Sequence, residues 1–311
     1  MSNQETRSQL SSSSDCLNEV ASVQRINARS AEIGGTLTVN RVLPTRQRRM
    51  IGAWCFLDHA GPAHFAPGEG MHVGAHPHTC LQTFTWMIEG EVMHRDSLGN
   101  EQVLRPGEVN LMTAGRGISH TEDSLPSASG LHAAQLWIAL PKTHGHCDPD
   151  FTHYPDLPRW TAQGVKHSLL VGSYAGYRSA VQVHSPLLAM DLESTQGAAL
   201  ELDLDPRFEH GILLLEGALS IGTEVFSENQ LAYMGCGHQS LKVHLAPGCR
   251  AILLGGEPFT DEILMFWNFV GYSKAEIADA WRDWNAGDAR FGRVTGYQGE
   301  PLQAPALPWR A

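Results

Sequence analysis

At 311 residues the chain is long for a single core and ample for two domains of ordinary size. Its 22 basic and 33 acidic side chains leave a formal charge of −11, which disfavours a direct grip on a nucleic-acid backbone. No uninterrupted apolar run reaches the roughly 18 residues of a membrane span.

The opening stretch, MSNQETRSQLSSSSDC, is Ser-rich and poor in core residues, and it reads as a disordered tail over residues 1–20. It lacks the basic-then-apolar order of a secretory signal. The six cysteines (Cys16, Cys55, Cys80, Cys147, Cys236 and Cys249) are scattered without a C-x-x-C pair. That spacing argues against a disulfide framework and fits a reducing, cytoplasmic setting.

Short apolar segments follow one another between frequent Gly and Pro: LQTFTWMI, EVNLMT, LHAAQLWIAL, SLLVGSY, ALELDLD, GILLLEGALSI and AILLGG. Strands this short and closely spaced predict an all-β sandwich or barrel. HRDSLGNEQ reads as a hairpin, with Gly99 and Asn100 supplying the tight return. One helix is expected, in SKAEIADAWRDWNAG. There Ser273 and Glu276 form a capping-box pattern, Ile277, Ala280, Trp281 and Trp284 share one face, and Gly287 is placed to end it.

A long internal repeat is also visible. MIEGEVMH, from Met87, overlays LLEGALSI, from Leu214, so that Glu89-Gly90 recurs as Glu216-Gly217. A looser echo joins EVNLMTAG to NQLAYMGCG. A period of this size indicates a duplicated domain. PKTHGHCDPDFTHYPDLPRW, rich in Pro, Asp and His, has no strand period and reads as the linker.

The chemistry concentrates in GMHVGAHPHTCLQTFTWMIEGE. Strand alternation predicts that His76, His78, Cys80, Gln82, Phe84 and Trp86 share one face. A second pair, His120 and Glu122, stands about 40 residues on, again one residue apart. Two such pairs on adjacent strands offer three imidazoles and a carboxylate, a set suited to a divalent transition metal with open positions. Cys80 on that face reads as a small apolar filler. His144-Gly145-His146-Cys147 carries ligand types but reads as a surface loop.

These motifs bring a family into view. Gly70-x5-His76-x-His78, then Pro106-Gly107 and Gly117-x-x-His120, resembles the two cupin motifs. More narrowly, HPHTCLQTFTWMIEGEVMHRDSLG with MTAGRGISHTE resembles pirin, and FLDHAGP, QLWIALP and GGEP match too, over roughly Val23 to Arg293. The resemblance implies two tandem cupin (jelly-roll) β-barrels with a short C-terminal helix. It divides the chain into a metal-binding barrel over 21–141, a linker over 142–160, a metal-free barrel with the helix over 161–295, and a tail over 296–311.

It further implies one Fe(II) in the first barrel, held by His76, His78, His120 and Glu122. The implied activity is quercetin 2,3-dioxygenase-type ring opening of a flavonol or related phenolic by dioxygen, with Glu122 accepting the substrate proton. Gln82, Phe84, Trp86 and Gln135 are the expected pocket wall and hydrogen-bonding groups. Pirins commonly carry Glu where this chain has Gln82, so any proton role there is not carried over. The 127-residue offset maps His76 and His78 onto Asp203 and Asp205, with only His238 and His244 nearby, and no second metal is expected. The other role the resemblance implies is an iron-dependent, redox-sensitive regulator that binds a protein partner without turnover. A monomer is the expected state.

Overall fold

The computed structural model describes residues 9–11, 23–33, 37–66 and 69–309; the expected tail over 1–20 lies mostly outside them. Apart from one α-helix and one short 3-10 turn, the described elements are strands. No helix among them is long and apolar enough to cross a membrane.

Each half pairs a seven-stranded sheet with a four-stranded one. In the front half the large sheet runs, in spatial order, Asp150–Tyr154, Val109–Thr113, Leu81–Glu89, Gly130–Ala139, Trp54–His64, Leu37–Leu43 and Arg29–Ile33. The small sheet runs His72–His78, Ile118–Ser124, Val92–Asp96 and Glu101–Leu104. The back half repeats this with Arg159–Ala162, Val165–Val171, Leu187–Ser194, Cys249–Gly256, Glu209–Glu216, Gln230–Met234 and Gln24–Asn27. Its small sheet is Ala198–Asp203, Ser240–Leu245, Ala218–Ile221 and Glu224–Ser227.

The duplication read from Glu89-Gly90 and Glu216-Gly217 is therefore structural. Both glycines follow a central strand of a large sheet and turn the chain with φ of +83° and +79°. A side chain is disfavoured at such angles. At Gly90 an added Cβ would also strike the Gly130 carbonyl oxygen.

The strand Leu81–Glu89 shows why its sequence looks uninterruptedly buried. Met87 faces the interior of the front barrel, among Val39, Ala60, Val73 and Leu131. Phe84, Trp86 and Ile88 point the other way, into a core shared with Leu213, Leu215, Ile252 and Leu254 of the back half. Both faces are covered, so the strand needs no polar side. Trp54 meets Phe84 edge to face at 5.7 Å in that shared core, and its indole N–H donates to the Gly255 carbonyl at 3.1 Å.

The division of the chain is less clean than a front block and a back block. Gln24–Asn27 pairs with Gln230–Met234, so an early strand completes the back sheet. The stretch 142–160 contributes an edge strand to each large sheet, pairing Asp150–Tyr154 with Val109–Thr113 and Arg159–Ala162 with Val165–Val171. Conversely, the hairpin Ile263–Phe266/Phe269–Gly271 bridges in parallel to Thr79 of the front half. Residues 296–309 return to the front barrel, where Leu302 N–H donates to the Ala75 carbonyl at 2.8 Å.

The helix is Lys274–Asn285, capped by Ser273, whose Oγ accepts from Glu276 N–H at 3.2 Å. Its apolar face falls as the spacing indicated: Ile277 and Ala280 are buried, and Trp281 and Trp284 pack beside them. Gly287 follows the C-cap Ala286 with φ +68°. In the HRDSLGNEQ hairpin only Gly99 takes a positive φ, +92°. Asn100 instead binds Asp96 through its side-chain amide.

Candidate metal centre

Antiparallel register builds the site. His76 on the strand His72–His78 pairs directly with His120 on Ile118–Ser124, and His78 pairs with Ile118. Directly paired residues of a sheet project from the same face. The three imidazoles therefore converge, with ring centroids 5.1 Å (His76 to His78), 4.3 Å (His76 to His120) and 5.1 Å (His78 to His120) apart. One ligand atom from each lies within 4.8 Å of the others, and all three rings are buried.

The hydrogen bonds say which nitrogens face the centre. His76 Nδ1–H donates to the Gly74 carbonyl at 2.8 Å, and His78 Nδ1–H to the Asn268 carbonyl at 3.0 Å. A carbonyl can only accept, so each ring carries its proton on Nδ1 and a lone pair on Nε2. The Nε2 atoms of His76, His78 and His120 are buried without a hydrogen-bond partner. Buried polar atoms are rarely left this way. Three converging imidazole lone pairs are the donor set of a transition-metal ion.

His120 reaches the same tautomer through a longer chain. Asp96 Oδ2 stands 3.2 Å from His94 Nε2, and His94 Nδ1 stands 3.4 Å from His120 Nδ1. The carboxylate accepts from His94 Nε2–H, which leaves His94 Nδ1 to accept from His120 Nδ1–H. Burial alone would raise the Asp96 pKa, but hydrogen bonds from His94 and Asn100 hold it below the ordinary value. Phe151 stacks on the outer face of His94 at 4.3 Å.

Burial also keeps the three candidate ligands neutral. It pushes His76 down to about 3, and it takes His78 and His120 well below their ordinary range, with His76 adding to both. Neutral imidazole is the form that ligates. Glu122 is buried on the strand of His120, directly across from His94 in the sheet register, after a bulge in the pairing with His72–His78.

Placement of the other expected residues corrects the sequence reading. The run from His76 to Trp86 is not one strand. It breaks at Thr79-Cys80, where Cys80 takes φ +56°, and the chain crosses from the small sheet to the large one. Alternation counted through that break puts the later residues on the wrong face. Phe84 and Trp86 lie in the core between the two large sheets, and Trp86 Nε1–H reaches Asp191 of the back half at 3.4 Å. Gln82 also leaves the histidines: its amide donates to Thr113 Oγ1 at 2.9 Å and approaches the Gln182 carbonyl at 3.4 Å.

Gln135 does face the barrel interior, with its Oε1 accepting from Thr85 Oγ1 at 2.8 Å. Two residues on, Trp137 meets His78 edge to face at 5.0 Å and stacks on Phe56 at 4.1 Å. Its indole N–H is buried without a hydrogen-bond partner.

His94, Asp96, Trp137 and Phe151 were missed in the sequence, although His94-x-Asp96 shows the same alternation as the ligand pairs. In the back barrel Asp203 is exposed and pairs in register with Ser240, and Asp205 is clasped by Arg207 at 2.6 Å. No cluster of three ligand groups forms there among the described residues.

Fold and site together define a tandem β-barrel protein with a three-histidine centre in its first barrel. Residues 36–138 match the Pirin family model and residues 189–292 the Pirin C-terminal cupin domain. The chain belongs to the pirin family, whose members are bicupins. A Pseudomonas aeruginosa protein, PA1205, provisionally named a quercetin 2,3-dioxygenase, is 58% identical over 311 residues, covering 100% of this chain and 99% of that one. A pirin-like protein of Caulobacter vibrioides is 38% identical over 81% of this chain and 90% of its own length. The crystal structure of a quercetin 2,3-dioxygenase from Acinetobacter baumannii superposes with a TM-score of 0.91 at 47% identity, covering 93% of this chain and 97% of that one.

Proposed function

We propose that this protein is a metal-dependent dioxygenase that opens the ring of a flavonol or related phenolic, with Fe(II) held by His76, His78, His120 and Glu122. The observation that carries the reading is the convergence of three buried, unpartnered Nε2 atoms. The names of the P. aeruginosa and A. baumannii proteins support the substrate class. A divalent ion bound there would polarise a phenolate oxygen and hold it beside dioxygen.

The chain's own residues supply the rest. Glu122 accepts the phenol proton as the substrate enters, which gives the carboxylate a second role beside that of ligand. Trp137 offers its unpaired indole N–H to a substrate oxygen and its ring edge to an aromatic plane. Gln135, one alternation back on the same wall, presents an amide. His94 and Asp96 keep His120 in the tautomer that binds.

The test is to load the purified full-length chain with Fe(II) and supply quercetin under air. Loss of the flavonol's long-wavelength absorbance with matching oxygen uptake, both abolished in His78→Ala, supports the reading. Unchanged flavonol over an iron-loaded, folded protein rejects it.

A further inference from the structure

Outside the three-histidine centre, a second set of ligand groups is brought together by parts of the chain far apart in sequence. Cys80 Sγ, a ring nitrogen of His146 and a carboxylate oxygen of Glu276 all lie within 4.8 Å of one another. We propose that these three side chains form a separate binding site for a divalent cation of borderline softness, such as Zn²⁺. A thiolate, an imidazole and a carboxylate are the donor types zinc takes, and three protein donors leave a fourth tetrahedral position for water.

Backbone hydrogen bonds hold each donor, or the loop that carries it, in place. Cys80 N–H donates to the Gly115 carbonyl at 2.8 Å, and the Cys80 carbonyl accepts from Leu140 N–H at 3.1 Å. The loop of His146, which the sequence presents as a loose surface segment, is in fact tied down. His144 N–H donates to the Pro141 carbonyl at 2.7 Å, Cys147 N–H to the His144 carbonyl at 3.1 Å, and Arg116 N–H to the Cys147 carbonyl at 3.0 Å. Glu276 stands in the first turn of the helix, and its Oε2 accepts from Tyr272 N–H at 2.7 Å. That bond orients the carboxylate as outer-shell partners orient metal ligands elsewhere.

Burial grades across the cluster from Cys80, which is buried, through half-buried Glu276 to exposed His146. An ion would enter past the imidazole and settle on the sulfur. His146 has no hydrogen bond to another described residue, and Cys80 is a free thiol. Cys80 also sits at φ +56°, an angle that glycine adopts without strain. A cysteine held at that angle is strained. Replacing it with glycine removes the sulfur and relieves the backbone together, which makes it a clean probe.

The experiment titrates metal-free, full-length protein with Co²⁺. Wild type is expected to bind two ions per chain, one of them with a sulfur-to-cobalt charge-transfer band in the near ultraviolet. Cys80→Gly is expected to keep its fold, lose that band and bind one ion. His146→Ala should lose the second equivalent, and His78→Ala should keep the sulfur band while losing the other ion. The His78→Ala arm separates this site from the dioxygenase centre. The proposal is overturned if wild type shows no sulfur band, or if Cys80→Gly and His146→Ala both titrate like wild type.

Discussion

His78 Nδ1 lies 3.0 Å from the carbonyl oxygen of Asn268, 190 residues further along the chain. A ring of the front barrel thus has its tautomer fixed by the connection between two C-terminal strands. Beside it, Thr79 Oγ1 donates to the Val270 carbonyl at 2.8 Å, and Val270 N–H returns to the Thr79 carbonyl at 3.3 Å. The C-terminal segment, although it follows the second barrel in sequence, is part of the first barrel's metal centre. Thr79→Val keeps the shape and deletes the hydroxyl, at a cost of about 1 kcal/mol in stability. Metal retention against a chelator should fall with it, and unchanged retention would show that the clamp does not act on the centre.

The chain of contacts from Asp96 through His94 to His120 gives a sharper case. His94→Ala removes the group that accepts the His120 Nδ1 proton, without touching a candidate ligand. Metal affinity is expected to drop roughly 10- to 100-fold, as for other outer-shell partners. Competition with a coloured chelator measures it, and circular dichroism confirms that the fold remains. Asp96→Asn should follow in the same direction, because an amide holds the His94 proton less strongly than a carboxylate.

Phe84 separates structure from substrate binding. It is buried between the two large sheets against Trp54, away from the histidines. Phe84→Ala should lower the free energy of unfolding by about 3–5 kcal/mol. Its metal content and KM for a flavonol should stay at wild-type values. A raised KM in folded protein would return Phe84 to the pocket.

Acid should weaken the fold from near neutrality downward. His59 and His132 share a buried Nε2 to Nε2 contact of 2.8 Å, and His210 is buried in the back barrel. Burial pushes His132 down to about 3 and His210 to about 4, and it lowers His59 as well. Above the unfolded value of about 6.5, both states are neutral at these positions and contribute no pH dependence. Below it the unfolded chain takes up protons that the folded chain refuses, so stability is lost as pH falls towards 4 and then 3. Urea midpoints should be lower at pH 5 than at pH 7, and His132→Gln should flatten that fall by up to one proton's worth of slope.

Local regularity decided what could be read in the sequence. The duplicated architecture followed from Glu89-Gly90 and Glu216-Gly217, because a strand-ending glycine with positive φ is a local demand that recurs with the fold. That His76 and His120 converge followed from the same alternation in His76-x-His78 and His120-x-Glu122, although four strands separate the two pairs in sequence. Phe84 and Trp86 were misplaced because alternation was carried through Cys80, whose left-handed backbone leaves no mark in a pattern of residue types. Asn268 and Phe151 were out of reach for a different reason. They arrive at the site through strand pairings with elements distant in sequence, and no spacing encodes those.

The most direct test of the metal centre is anomalous diffraction at the iron edge from crystals of Fe(II)-loaded protein. The structure predicts a peak at bonding distance, about 2.1 Å, from the Nε2 atoms of His76, His78 and His120 together. A loaded crystal with no peak at that point, or with Nδ1 turned towards the ion, would contradict it.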